Sequence, residues 1–153
     1  MIRTLIIDDE EDARKALKLT LEKYCPEVQL LAECKSAKEG IAAISQLQPE
    51  LIFLDIQMPQ MSGFELLEQV ESIDFEVIFV TAHDHYAIKA IKFSALDYLL
   101  KPIDIDELRY TLKRFKEQPR NRSQYDSVLK NMKNPEGRME RLAIPTLEGI
   151  EFL

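Results

Sequence analysis

Short apolar runs and helical apolar stripes alternate along the first 118 residues of this chain. Leu5-Ile6-Ile7 is a strand-like run that stops at two aspartates. From Ala13 the period becomes helical, with Ala13, Ala16, Leu17, Leu21 and Tyr24 on one face. A second β-rich run covers Val28-Gln29-Leu30-Leu31, preceded by Pro26. Ala37, Ile41, Ile44 and Leu47 mark a second helix, which Pro49 ends. Leu51-Ile52-Phe53-Leu54 and Val77-Ile78-Phe79-Val80 are apolar at every position, as expected of strands covered on both faces. Between them, Phe64, Leu67 and Val70 mark a third helix. The spacing predicts a fourth helix over 84–93, a short strand at Tyr98-Leu99-Leu100 and a last helix with Ile105, Leu108, Leu112 and Phe115 as its stripe. Asp104 is suited to cap that helix, with Glu107 three residues on as its capping-box partner.

Five β-then-α units in this order predict an α/β fold: a doubly wound, five-stranded parallel sheet with helices on both faces. In such folds ligands bind beyond the carboxyl ends of the strands, where the strand order reverses. The polar residues at those ends are therefore the ones to inspect.

Composition narrows the field. No apolar run approaches the roughly 18 residues that a membrane span requires. The start, Met1-Ile2-Arg3-Thr4-Leu5-Ile6-Ile7-Asp8-Asp9, turns acidic too soon for a signal peptide, so the expected compartment is the cytoplasm. Cys25 and Cys34 are too few for a disulfide scaffold and are expected to be free thiols. The net charge of −7 is uneven: residues 1–118 carry −8 and residues 119–153 carry +1. The acidic part is expected to repel nucleic acid, whose phosphates are bound by Lys and Arg. The break at Gln118-Pro119-Arg120-Asn121-Arg122-Ser123 predicts a domain edge and a polar linker over 119–139. Within that linker, Tyr125, Val128, Leu129 and Met132 share a helical face.

The strand ends carry a coherent set of groups. The first predicted strand ends in Asp8-Asp9, the third in Asp55, the fourth in Thr81 and the fifth in Lys101-Pro102. Three converging carboxylates repel one another, and a hard divalent cation such as Mg²⁺ is their natural neutraliser. A lysine and a hydroxyl beside them suit a phosphoryl group. The chemistry that fits is phosphoryl transfer to a carboxylate. Taken singly, each group has an ordinary role: an Asp or Thr caps a helix, a Lys is a solvated charge, and the run Asp8 to Asp12 favours a helix N-terminus. Their joint arrival at one sheet edge favours the common site. His83 and His85, two residues apart, would not face the same way on a helix and are expected in a loop or cap.

The sequence resembles the receiver domain of two-component response regulators (CheY-like). The resemblance rests on Leu5-Ile6-Ile7-Asp8-Asp9-Glu10, on Leu51 to Asp55 followed by Ile56-Gln57-Met58-Pro59-Gln60-Met61-Ser62-Gly63, on Val80-Thr81-Ala82, and on Asp97-Tyr98-Leu99-Leu100-Lys101-Pro102. It implies a flavodoxin-like (βα)₅ fold with strand order 2-1-3-4-5 and a receiver over residues 1–118. It implies that Asp55 accepts a phosphoryl group from a sensor histidine kinase. Asp9 and Asp55 would bind Mg²⁺ directly with the Gln57 backbone carbonyl, and Asp8 mainly through water. Lys101 would pair with the phosphoryl oxygens and Thr81 would hydrogen-bond one of them. Tyr98 would be the switch aromatic moving with Thr81, although a half-buried core tyrosine is an equally ordinary reading of it. Gln57 and His83 would tune the acyl-phosphate lifetime. The bond before Pro102 would be cis.

The chain end, Arg141-Leu142-Ala143-Ile144-Pro145-Thr146-Leu147-Glu148-Gly149-Ile150-Glu151-Phe152-Leu153, alternates like two strands around a turn. It looks like the opening of a LytTR-type DNA-binding domain over 140–153, far short of the roughly 100 residues such a domain needs. The expectation is a piece of a longer LytR/AlgR-like transcriptional regulator, phosphorylated into a homodimer and reaching DNA through the missing domain. It would be a switch rather than a turnover enzyme. Alternatives are a stand-alone receiver acting through protein contacts, a receiver without phosphorylation, a Mg²⁺-dependent aspartyl-phosphate phosphohydrolase, and a flavodoxin-like cofactor binder. The phosphohydrolases usually carry a second Asp where Gln57 stands, and the acidic run after the first strand would repel a cofactor phosphate.

Overall fold

The computed structural model describes residues 1–84, 87–92 and 94–117. In chain order the elements are β1 (Ile2–Ile7), α1 (Glu11–Tyr24), β2 (Val28–Cys34), α2 (Ala37–Leu47), β3 (Leu51–Asp55), α3 (Gly63–Gln69), β4 (Glu76–Thr81), α4 (Ala87–Lys92), β5 (Asp97–Leu100) and α5 (Ile105–Glu117). The five strands form one parallel sheet in the order β2-β1-β3-β4-β5. The flavodoxin-like architecture expected of the sequence is the one observed.

Side-chain alternation along the strands divides the interior into two cores. Leu5, Ile7, Ile52, Leu54, Val77 and Phe79 point to one face, where Ala37 and Ile44 of α2, Phe64 and Leu67 of α3 and Ala90 of α4 cover them. Ile6, Leu51, Phe53, Ile78, Val80 and Leu99 point to the other, against Leu17 and Leu21 of α1 and Leu108, Leu112 and Phe115 of α5. Burial on both faces is why β3 is apolar up to its final residue.

Local chemistry sets the helix starts. Ser36 accepts the Glu39 N–H at the head of α2. Ser62 and Glu65 form a reciprocal capping box on α3. The Asp104 carboxylate accepts the Glu107 N–H at 2.9 Å, as the sequence predicted for α5. Several boundaries differ from the apolar pattern: β1 already begins at Ile2, three residues before Leu5. α1 starts at Glu11, two residues before Ala13, because its first turn is acidic and solvated and contributes nothing to the stripe. β2 runs on to Cys34, pairing Ala32, Glu33 and Cys34 with Leu5, Ile6 and Ile7 across an irregularity in the ladder. α4 spans Ala87–Lys92 against the predicted 84–93; His85 and Phe93, like the linker and the strand-like end at 119–153, lie outside the described residues. No helix among the described residues is long and apolar enough to cross a membrane.

Candidate functional site

β1 and β3 are neighbours although α1, β2 and α2 separate them in sequence, so their carboxyl ends flank the point where the strand order reverses. Ile7 pairs with Leu54. The next residues, Asp8 and Asp55, are thereby brought side by side. Asp55 pairs in turn with Val80, which sets Thr81 at the end of the next strand, and Thr81 pairs with Leu100, which sets Lys101 beyond β5. Register alone thus delivers four functional groups to one edge.

Carboxylate oxygens of Asp8, Asp9 and Asp55 all lie within 4.8 Å of one another. Asp8 and Asp55 are buried and Asp9 is half-buried. The Lys101 ammonium reaches into this group, 2.9 Å from Asp8 Oδ2 and 3.3 Å from Asp55 Oδ2. Burial, and then the charge of Asp8, push the Asp55 carboxyl up to about 7, against the pull of Lys101. Burial alone would lower the Lys101 ammonium, but its hydrogen bonds to Glu10 and Asp8 and the charges of Asp55 and Asp8 outweigh it and hold the proton more tightly.

The loops are pinned by short backbone contacts. Asp8 Oδ1 accepts the Glu10 N–H at 2.9 Å, and Asp55 Oδ1 accepts the Gln57 N–H at 3.2 Å. The buried Thr81 hydroxyl accepts the His83 N–H, and the Lys101 N–H donates to the Thr81 carbonyl at 2.8 Å. The half-buried Tyr98 donates its hydroxyl hydrogen to the His83 carbonyl, linking β5 to the loop after β4. Gln57 and His83 themselves are exposed near this edge. The Lys101–Pro102 peptide bond is cis.

The pattern of the response regulator receiver domain matches residues 4–113. This chain belongs to that family. The receiver is 46% identical over 122 residues to the transcriptional regulatory protein BtsR of Escherichia coli K12, a match covering 77% of this chain and 49% of BtsR. It is 39% identical over 157 positions to an uncharacterized response regulatory protein of Yersinia pestis, covering all of this chain and 65% of that one. Among solved structures it resembles a DNA-binding response regulator of the LuxR family from Staphylococcus aureus, with a TM-score of 0.68 and 26% identity, over 74% of this chain and 98% of that one. The chain spans about half the length of BtsR. It is therefore a response regulator receiver whose relatives include transcriptional regulatory proteins.

The edge of the receiver contains three contributors that the apolar pattern does not distinguish. Glu10 places Oε1 2.9 Å from the Lys101 ammonium. Arg14 donates to the Asp8 carbonyl at 2.7 Å and faces Glu33 on β2 at 3.8 Å, tying the acidic loop to the edge strand. At Gly63 a Cβ would stand 2.5 Å from the Asp55 carbonyl oxygen, so only glycine lets α3 approach the site this closely. Of these, Gly63 had a signal in sequence, a glycine just after the turn that follows Asp55. Glu10 was one of several acids whose common reading is a favourable charge at a helix start.

Proposed function

We propose that this receiver is the phosphoacceptor of a two-component phosphorelay and that Asp55 is the residue phosphorylated. The observation that carries the reading is a buried carboxylate at the reversal point of the sheet, crowded by Asp8 and Asp9 and met by the Lys101 ammonium at 3.3 Å. An Asp55 oxygen attacks the phosphorus of a phosphohistidine on a sensor kinase, or of acetyl phosphate. The new P–O bond forms as the P–N or P–O bond to the leaving group breaks, and that group departs with the electron pair. Lys101 offsets the charge of the arriving phosphoryl oxygens. Thr81, one strand away, supplies a hydroxyl to the same oxygens, and its movement reaches Tyr98 through the loop that holds His83. Gln57 and His83 flank the path of hydrolytic water and set the lifetime of the product.

Asp8, Asp9 and Asp55, with the Gln57 carbonyl, would hold Mg²⁺. The donors fit: all are hard oxygens, and the three carboxylates crowd one another within 4.8 Å. When bound, the ion would neutralise carboxylate and phosphoryl charge together.

The output belongs to the longer protein. In this reading residues 119–139 link the receiver to a LytTR-type DNA-binding domain that starts at 140–153, and phosphorylation favours a cytoplasmic homodimer that regulates transcription. The match to the longer response regulatory protein of Yersinia pestis runs through the whole chain, which supports a region beyond the receiver; the LytTR-type assignment rests on the alternation at 141–153. The receiver acts as a switch rather than a turnover enzyme. Incubation with Mg²⁺ and acetyl phosphate, followed by intact mass, tests the central step. One phosphoryl group is expected on the wild type and none on Asp55→Asn. No adduct on the wild type, or an undiminished one on the variant, overturns it.

A further inference from the structure

We propose that Glu10 competes with the incoming phosphoryl group for Lys101, and so sets how readily the site is occupied; this rests on the phosphoacceptor reading of Asp55. Glu10 holds the N-cap position of α1 with an extended backbone, yet its side chain makes no cap hydrogen bond. Its carboxylate instead reaches across 91 residues of sequence to the Lys101 ammonium, 2.9 Å away. An ammonium has three N–H donors. In this site they face three carboxylates, those of Asp8, Glu10 and Asp55. A phosphoryl oxygen therefore gains Lys101 by sharing or displacing one of these contacts.

The three partners are not equally held. Asp8 and Asp55 have side chains only 7% and 6% exposed, and each is fixed by a backbone N–H. The Glu10 side chain is 62% exposed, and among the described residues its carboxylate bonds Lys101 alone. It is the most exposed of the three partners of Lys101. Glu10 is thus the partner that leaves, and until it does its charge opposes another anion. Its hold is that of an exposed pair, which water and side-chain entropy weaken. It is a positioning residue: it acts on the ammonium and takes no part in bond making.

The test is the affinity of the whole chain for beryllofluoride, a phosphoryl mimic, in saturating Mg²⁺, followed by titration calorimetry. Glu10→Gln and Glu10→Ala are expected to bind it about twofold to fivefold more tightly than wild type, the factor that the worth of an exposed ion pair converts to. Acetyl phosphate should label both variants faster by a similar factor. Unfolding midpoints should fall by no more than a few degrees, since the variants lose only one exposed ion pair from the resting fold. Affinity equal to or weaker than wild type in both variants overturns the competition while leaving the phosphoacceptor reading intact. A wild type that neither binds beryllofluoride nor accepts phosphoryl overturns both.

Discussion

Asp55 is the residue on which the site's electrostatics converge. Its carboxyl is displaced from 3.8 to about 7, first by burial and then by Asp8. The folded state therefore binds this proton more tightly than the unfolded chain does. The stability linked to it is fully present below about pH 4 and is lost as pH rises through about 7. In a chelating buffer the wild type should lose thermal stability across that window. Asp55→Asn, which carries no charge, should lack that component of the loss and melt several degrees higher at pH 8. Parallel melting curves for the two proteins across this range would contradict the origin assigned to the shift. The cysteines lie at the other extreme of chemical use: Cys34 is buried and its thiol is pushed up to about 11 by burial and then by Glu39. At neutral pH it behaves as a small apolar side chain.

At the scale of an element, α3 shows how a helix start serves a site on another strand. The Ser62–Glu65 capping box fixes where the helix begins, and the Gly63 N–H donates to the Ile56 carbonyl at 2.9 Å. The helix head is thereby packed against the backbone of Asp55. Ser62→Ala should remove the cap alone and cost about 1 kcal/mol in denaturant unfolding. Gly63→Ala adds a methyl where Asp55 O stands 2.5 Å away, so the backbone has to shift. It should cost about 1–3 kcal/mol, the range for overpacking, and also slow labelling by acetyl phosphate. Ser62→Ala should leave labelling near wild type, and equal slowing in both variants would remove the distinction between cap and contact. β5 and α5 are joined in a comparable way: the buried Thr111 donates to Asp97, and Arg114 bonds the Leu96 carbonyl at 3.1 Å.

For the whole molecule, the core residues among those described lie within 2–115, one core on each face of the sheet. A chain ending at residue 118 should therefore unfold cooperatively with the midpoint of the full chain and accept phosphoryl at the same rate. A clearly lower midpoint would mean that residues 119–153 pack onto the receiver. Its charge of −8 also predicts that the shortened chain does not retain duplex DNA in a mobility-shift experiment at physiological salt.

The alternation of apolar runs and stripes determined the five units, the parallel sheet and the two-sided burial. Period and strand apolarity are local consequences of which faces must leave water, so they can be read along the chain. The polar strand ends marked Asp8, Asp9, Asp55, Thr81 and Lys101 as candidates for the same reason: a charge after a fully apolar strand stands out. Their joint arrival at one edge was legible too, and the resemblance implied the strand order; only the tertiary structure decided the distances at which they meet, because those depend on the Ile7–Leu54 and Asp55–Val80 registers. It also decided Glu10 and Gly63. One acid in the run Asp8 to Asp12 differs from its neighbours only once α1 and β5 are placed, and Gly63, marked in sequence as a glycine after the turn that follows Asp55, shows why it must be glycine only once the atom its Cβ would strike is known. Contacts between residues distant in sequence are set by packing of the whole chain, and no local pattern encodes them.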